Sequence, residues 1–573
     1  MKKLYGVGVS AGIVLGQARK YAPQDTVIMR TECTDSENEI RVFENALAQA
    51  CARTEALYAK IKVHSSEKEA EIFDAHLAVL TDDISVKNPI IELIRSGYSA
   101  EQAVSLHFSA LEDAMTALED DYLQARGSDF AALKRMLLEE LLGTGQFDLS
   151  SLDQDVIIVA RELTPSDTVQ MDLAHVKGIL CETGAPTSHT AILARALGIP
   201  AVVGCAGAFD SVQAGESMLL DGEAGVAIFS PDAHQTSLGK EKAAKLEQDA
   251  QALKQYLTAA SRTIDGHTVS IHANIGSVSE CIAAMKLGGE GVGLFRTEFL
   301  YMEKPDLPDE ERQYEIYRDT LSAACGKPVT IRTLDAGGDK FISSLNLPRE
   351  ENPFLGYRAI RICLDQPSIF KTQLKALYRA STFGPLKIMF PMIGSLEELR
   401  AAKAIAKAAQ DELDCEGHPY SKDVKLGIMV ELPAVAEMAK EFAEEVDFFS
   451  IGTNDLVQYT LAVDRGNEKI KSLYTHYHPA VIRMIKKSID AAHKSGISCS
   501  MCGEAAGDLM FAPILLGFGL DAFSVSASSI LKLRQLICQS SLACCQEFSQ
   551  KILALRTAAE VQAALQQFRE VDS

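Results

Sequence analysis

Between residues 268 and 526 the chain repeats one unit eight times: a short β-rich apolar run, a polar loop, then a helix-forming stretch. The runs fall at 268–273, 291–295, 329–332, 387–390, 426–430, 448–452, 498–502 and 521–526. Strands separated by helices join a parallel sheet rather than hairpins, and eight such units close into a (β/α)8 TIM barrel. Residues 263–573 are therefore expected to form that barrel. A chain of 573 residues exceeds what one core serves, so the remainder must fold into further domains.

The preceding half reads as a multidomain α/β arrangement. Residues 1–24 and 146–232 carry β-rich runs at 5–16, 156–160, 178–181, 201–204 and 218–221, and are expected to form one α/β domain. Between them, residues 25–145 read as an inserted helical bundle. Ser36 and Glu39 form a capping box, and Ile40, Phe43, Leu47, Ala50, Leu57 and Ile61 recur at three- and four-residue steps. Further helices are expected at 66–84, 100–126 and 128–143. Residues 233–262, rich in Lys, Glu, Gln, Ala and Leu, read as a linker helix.

Charge narrows the partners. With 56 basic against 78 acidic residues the net charge is −22, which disfavours nucleic acid and anionic membrane and suits a basic protein partner. The acidic segment from Glu112 to Asp121 is either a solvated face or part of such a docking surface, and His76 is either packed or partner-facing. No apolar run reaches the roughly 20 residues of a spanning helix, and the Met1-Lys2-Lys3 start lacks a signal-peptide core, so a cytoplasmic protein is expected. Thirteen scattered cysteines fit reduced thiols. In a strand Cys499 and Cys502, three apart, face opposite ways, which argues against a redox dithiol or half of a zinc site.

Functional groups in such barrels gather where strands end. Here those ends read Arg296-Thr297-Glu298, Arg332-Thr333-Leu334-Asp335, Glu431-Leu432-Pro433, Asn454-Asp455 and Cys502-Gly503-Glu504. Arg296 and Arg332, with Arg358 and Arg465 in following loops, suit a small substrate bearing phosphate and carboxylate. Glu431 and Asp455 offer hard oxygens, and two carboxylates completed by substrate and water is the habit of Mg²⁺. A rim thiol at Cys502 can exchange a proton with a substrate carbon. There is no Gly-x-x-x-x-Gly-Lys-Ser/Thr loop, so the phosphoryl donor is expected to be a small molecule.

One further stretch stands out, Gly184-Ala185-Pro186-Thr187-Ser188-His189-Thr190-Ala191. It breaks regular structure, offers Thr187 and Ser188 as caps and sets His189 at the mouth of a helix, where free N–H groups favour an anionic phosphoryl group. Arg195 can add a fixed positive charge. By itself the stretch serves equally as a phosphoryl acceptor or as an inert capping region.

These strings resemble, together and in order, the phosphoenolpyruvate-protein phosphotransferase family, enzyme I of the bacterial sugar phosphotransferase system. The resemblance is carried by Gly184-x-x-Thr187-Ser188-His189, Gly293 to Leu300, Arg332 to Asp335 with Gly337-Gly338-Asp339-Lys340, Glu351 to Gly356, Phe448 to Leu456 and Met501 to Glu504, and covers essentially the whole chain. It implies a swivelling phosphohistidine domain, a helical subdomain that binds the phosphocarrier protein HPr, and a barrel that binds phosphoenolpyruvate with Mg²⁺ and forms a homodimer. It further implies that His189 accepts the phosphoryl group, that Arg296, Arg332 and Arg465 hold the phosphate, and that Asn454, Arg358 and Arg465 frame the substrate. Glu431 and Asp455 would bind Mg²⁺, and Cys502 would protonate the enolate carbon.

Two departures stand beside the resemblance. Ala185-Pro186 replaces a frequent Gly and a basic or polar residue, stiffening the approach to His189, and Tyr357 replaces a frequent Trp in a chain with none. Two other readings share the parts. A dikinase or phosphoenolpyruvate synthase needs a further nucleotide-binding domain, for which 25–145 is too short and too helical. A regulatory relative would bind phosphoenolpyruvate or HPr without turnover.

Overall fold

The computed structural model describes residues 2–21, 35–64, 76–116, 121–142, 149, 152, 154–163, 167, 171, 174–184, 188, 190–191, 194–195, 198–213, 215–302, 306–338, 342–345, 347, 350–467 and 469–572. The chain divides into two compact units, Met1–Ala250 and Gln251–Ser573.

The first unit is built on an eight-stranded mixed sheet. In chain order its strands are β1 (Lys2–Tyr5), β2 (Val7–Ser10), β3 (Ile13–Tyr21), β4 (Val156–Ala160), β5 (Val176–Cys181), β6 (Ala201–Val203), β7 (Ser217–Asp221) and β8 (Val226–Phe229). They lie in the order β1-β8-β7-β3-β4-β5-β6-β2. The central strand β4, Val-Ile-Ile-Val-Ala, is buried along its whole length because both faces of the sheet are covered. Ile157 and Val159 pack with Leu180, Met218 and Leu220 on one face. Val156 and Ile158 pack with Ile179, Ala191 and Ala194 on the other.

The bundle inserted between β3 and β4 contains helices Ser36–His64, Asn88–Arg95, Ala100–Thr116 and Asp121–Leu142. Phe43, Leu47, Ile90, Ile94, Val104, Phe108 and Leu137 form its core. Three details differ from the sequence reading. The first helix is capped by Asp35, whose Oδ1 accepts the Asn38 N–H at 3.1 Å. Glu39 instead reaches across to accept the Ala100 N–H at 2.8 Å, capping a neighbouring helix. The expected break at Gly127 is absent, since one glycine costs a helix only about 1 kcal/mol relative to alanine. The helix Asn88–Arg95, begun by Pro89, was not anticipated, and most of the expected 66–84 helix lies outside the described residues.

The 233–262 stretch is helical over Ala233–Leu253 and ends in a 3₁₀ turn, Lys254–Tyr256. Beyond the turn the buried Arg534 side chain draws the chain onto the barrel. Its guanidinium donates to the Tyr256 carbonyl at 3.0 Å and to the Ser261 hydroxyl at 3.0 Å.

The second unit bears out the barrel. Strands β9 (Ser270–Ile275), β10 (Val292–Arg296), β11 (Val329–Arg332), β12 (Leu386–Phe390), β13 (Lys425–Val430), β14 (Phe448–Ile451), β15 (Ser498–Met501) and β16 (Ala522–Val525) form a closed ring. Each pairs in parallel with the next, and β16 pairs with β9. Leu294, Met389, Met429, Phe448 and Cys502 form one apolar cluster inside the ring. Cys499 belongs to the separate cluster beneath the surrounding helices, so the two cysteines do point apart. Among the described residues every cysteine is a free thiol.

Candidate active site

The C-terminal ends of β10, β11, β13, β14 and β15 bring the expected rim residues together around a buried array of ion pairs. Arg332, the last residue of β11, donates to Glu298 Oε1 at 2.8 Å and to Asp335 Oδ2 at 2.9 Å. The other oxygen of Asp335 takes Arg358 Nη2 at 2.9 Å, and Arg358 also reaches Asp455 Oδ2 at 3.4 Å. All five side chains are buried, with Arg358 and Asp335 each only 1% exposed. Burial works against the charge of both arginines, but the carboxylates outweigh it and hold both above their ordinary values.

Packing fixes the array from behind. The Thr297 hydroxyl donates to the Arg332 carbonyl at 2.9 Å, and Gln373 donates to that hydroxyl at 3.2 Å while accepting the Leu334 N–H at 3.0 Å. Arg358 Nη1 donates to the Tyr459 hydroxyl at 3.1 Å, which in turn donates to the Phe354 carbonyl. The Phe354 ring lies 5.9 Å from both the Arg358 and the Arg465 guanidiniums.

Glu431, just beyond β13, is buried and accepts the Met392 N–H at 2.6 Å. Burial, then Asp455, then Asp335 push its carboxyl up. Asp455 Oδ1 is buried and meets no hydrogen-bond partner. In this buried array the two guanidiniums of Arg332 and Arg358 stand among the four carboxyl groups of Glu298, Asp335, Glu431 and Asp455. The crowding of carboxyl groups and an unpartnered carboxylate oxygen fit a hard divalent cation held by Glu431 and Asp455. Among the described residues no cluster of three or more metal-ligating side chains forms.

Cys502 follows β15 and is 3% exposed. Burial pushes its thiol up; Ser450, Arg332 and Arg296 oppose that rise, and Glu431 adds to it. The group is therefore a protonated thiol with guanidiniums near enough to ease loss of its proton. Arg296 ends β10 with its side chain exposed. Asn454 and Asp455 open the helix Thr453–Leu461, whose first-turn N–H groups have no side-chain cap. The Asn454 amide donates to Glu504 Oε1 at 3.3 Å, and its Oδ1 accepts the Glu504 N–H at 2.9 Å.

The bridging of two arginines by Asp335, the pairing of Glu298, and the parts of Tyr459, Tyr474 and Glu504 were not read from the sequence. One signal was available: Asp455 and Tyr459 are four apart on a helix and so share a face. His189, with Ala185, Pro186 and Thr187, lies outside the described residues. Its flanks are placed. The Ser188 hydroxyl accepts the Ala191 N–H at 3.4 Å, a helix cap, and Thr190 donates to the Leu163 carbonyl at 3.3 Å.

Comparison with known families agrees with this geometry. Residues 250–542 match the PEP-binding domain of PEP-utilising enzymes, residues 152–225 their mobile domain and residues 5–126 their N-terminal domain. Barrel, rim and accompanying domains thus define a PEP-utilising enzyme. Phosphoenolpyruvate-protein phosphotransferases from Bacillus subtilis (strain 168) and Geobacillus stearothermophilus are 44% and 43% identical to it, over 98% of this chain and 98% and 97% of theirs. That of Enterococcus faecalis is 44% identical over 93% of both chains. The chain belongs to the phosphoenolpyruvate-protein phosphotransferase family, and is therefore a transferase.

Proposed function

We propose that the chain transfers the phosphoryl group of phosphoenolpyruvate to its own His189 and then to the histidine of HPr, releasing pyruvate, as the first step of phosphotransferase-system sugar uptake. The observation that carries the reading is the buried Arg332–Asp335–Arg358–Asp455 array set beside a protonated Cys502 thiol. Arg296, Arg332 and Arg465 hold the phosphate, while Arg358 and the Asn454-Asp455 turn frame the substrate.

Phosphoenolpyruvate is multiply anionic and would bring further negative charge beside Glu431 and Asp455. Glu431 and Asp455 are the residues that would hold Mg²⁺, which when bound offsets that charge and stabilises the departing enolate. Nε2 of neutral His189 attacks phosphorus in line. The bond from phosphorus to the enol oxygen breaks, its electron pair staying on that oxygen. The Cys502 thiol gives its proton to the methylene carbon, completing pyruvate, and Arg332 and Arg296 stabilise the thiolate until it regains a proton.

In this reading residues 1–24 and 146–232 form the swivelling phosphohistidine domain, 25–145 the HPr-binding subdomain, 233–262 the linker, and 263–573 the phosphoenolpyruvate-binding and dimerisation domain. A cytoplasmic location suits these partners. Among the described residues no helix is long and apolar enough to cross a membrane.

Incubation with labelled phosphoenolpyruvate and Mg²⁺ tests the reading. Wild type is expected to gain acid-labile phosphate and His189→Ala none. Binding without labelling of the wild type would make the chain a regulatory relative, the alternative that Ala185-Pro186 motivates.

A further inference from the structure

Tyr474 stands between two residues assigned to the substrate. It follows the short helical turn Lys471–Leu473, on the loop that also carries Arg465. Its hydroxyl donates to the Asn454 carbonyl at 3.0 Å, with the Arg465 guanidinium close enough to act on it electrostatically. Burial pushes this hydroxyl up to about 12, with Arg465 opposing the rise. It therefore stays neutral across any working pH and keeps the proton that it donates to Asn454.

Asn454 is gripped from two sides. Glu504 occupies both polar ends of its side-chain amide, and Tyr474 takes its carbonyl. What Asn454 presents to an anion is then its backbone N–H in the first turn of Thr453–Leu461, aimed by contacts outside that helix. Together Asn454, Tyr474, His476 and Glu504 help line a cavity of about 290 Å³ at the rim.

The Tyr474 ring packs against the core beneath the barrel helices, so its anchoring in the fold and its polar contacts reside in different atoms. The ring serves the fold. The hydroxyl holds Asn454, at the start of a helix, and lies near Arg465, on a loop.

We propose that Tyr474 is a positioning residue of the phosphoenolpyruvate site, its hydroxyl holding the Asn454 backbone in place beside Arg465. The proposal rests on the assignment of Arg465 and Asn454 to the substrate. It is tested with the full chain by measuring Mg²⁺-dependent phosphoenolpyruvate affinity in a His189→Ala background, where no turnover occurs, and steady-state phosphoryl transfer in the parent.

Tyr474→Phe keeps the ring and is expected to leave Tm unchanged while weakening phosphoenolpyruvate binding about tenfold, the scale of one charge-assisted hydrogen bond. The KM for phosphoenolpyruvate rises in proportion, and the rate at saturation changes less than about threefold. Because the hydroxyl and Arg465 serve one substrate geometry, adding Tyr474→Phe to Arg465→Ala costs little further affinity. Unchanged affinity in Tyr474→Phe, or two effects that simply multiply, overturns the proposal while the substrate assignment stands. Unchanged affinity in Arg465→Ala removes the assignment itself, and the proposal with it.

Discussion

Asp335 lies 2.9 Å from Arg358 through one carboxylate oxygen, and both side chains are withdrawn almost wholly from solvent. Its other oxygen holds Arg332 at the same 2.9 Å, so one carboxylate sets the distance between two guanidiniums that a phosphorylated substrate needs. Removing one partner of a buried pair leaves charge uncompensated, at a cost of about 3 kcal/mol. Asp335→Asn is expected to lower the melting temperature of the barrel and cut phosphoryl uptake at least tenfold. An unchanged Tm and turnover would show that the array does not hold the rim.

The Cys502 thiol is buried and its ionisation disfavoured, whereas Cys325, Cys415 and Cys544 are exposed. At neutral pH a thiol-alkylating reagent is expected to label those three well before Cys502, read by mass spectrometry. Cys502→Ser should bind phosphoenolpyruvate with affinity near the parent's yet transfer phosphate more than tenfold slower. Full turnover in that variant would leave the proton at the substrate carbon without its donor.

Gly503 joins the thiol to the Asn454 turn. A Cβ there would lie 1.9 Å from the Thr453 hydroxyl and 2.5 Å from the Thr453 backbone nitrogen, with no flexible group able to yield. Gly503→Ala therefore forces β15 away from the start of Thr453–Leu461, at a cost of about 2 kcal/mol. The expected result is lower stability by denaturant titration together with loss of both substrate binding and turnover.

At the interior of the barrel, burial and then the nearby Lys387 hold the His272 imidazole down to about 4. The unfolded chain takes up this proton near pH 6.5, the folded one only near 4. Stability from this residue is therefore full above about 6.5 and lost as pH falls towards 4, by about 3 kcal/mol. Melting curves of the parent should show that acid slope, and His272→Gln should flatten it. An identical slope in both would assign the acid sensitivity elsewhere.

Much of this was legible in the chain itself. The eight barrel strands were readable because each is a short apolar run bounded by polar loops, and that alternation between strand and helix admits few topologies. Arg296, Arg332, Glu431, Asp455 and Cys502 were readable as one set because each follows a strand at the same end of the barrel. What the sequence determined by itself was thus the architecture and the kinds of group at the rim. Only the tertiary structure decided which charge pairs with which. Asp335 bridges Arg332 and Arg358, Glu504 grips Asn454 from 50 residues away, and Tyr474 holds the Asn454 carbonyl. Periodicity reports the face on which a side chain lies. The partner it meets there is set by ring closure, by side-chain reach and by the cost of burying any charge that is left alone.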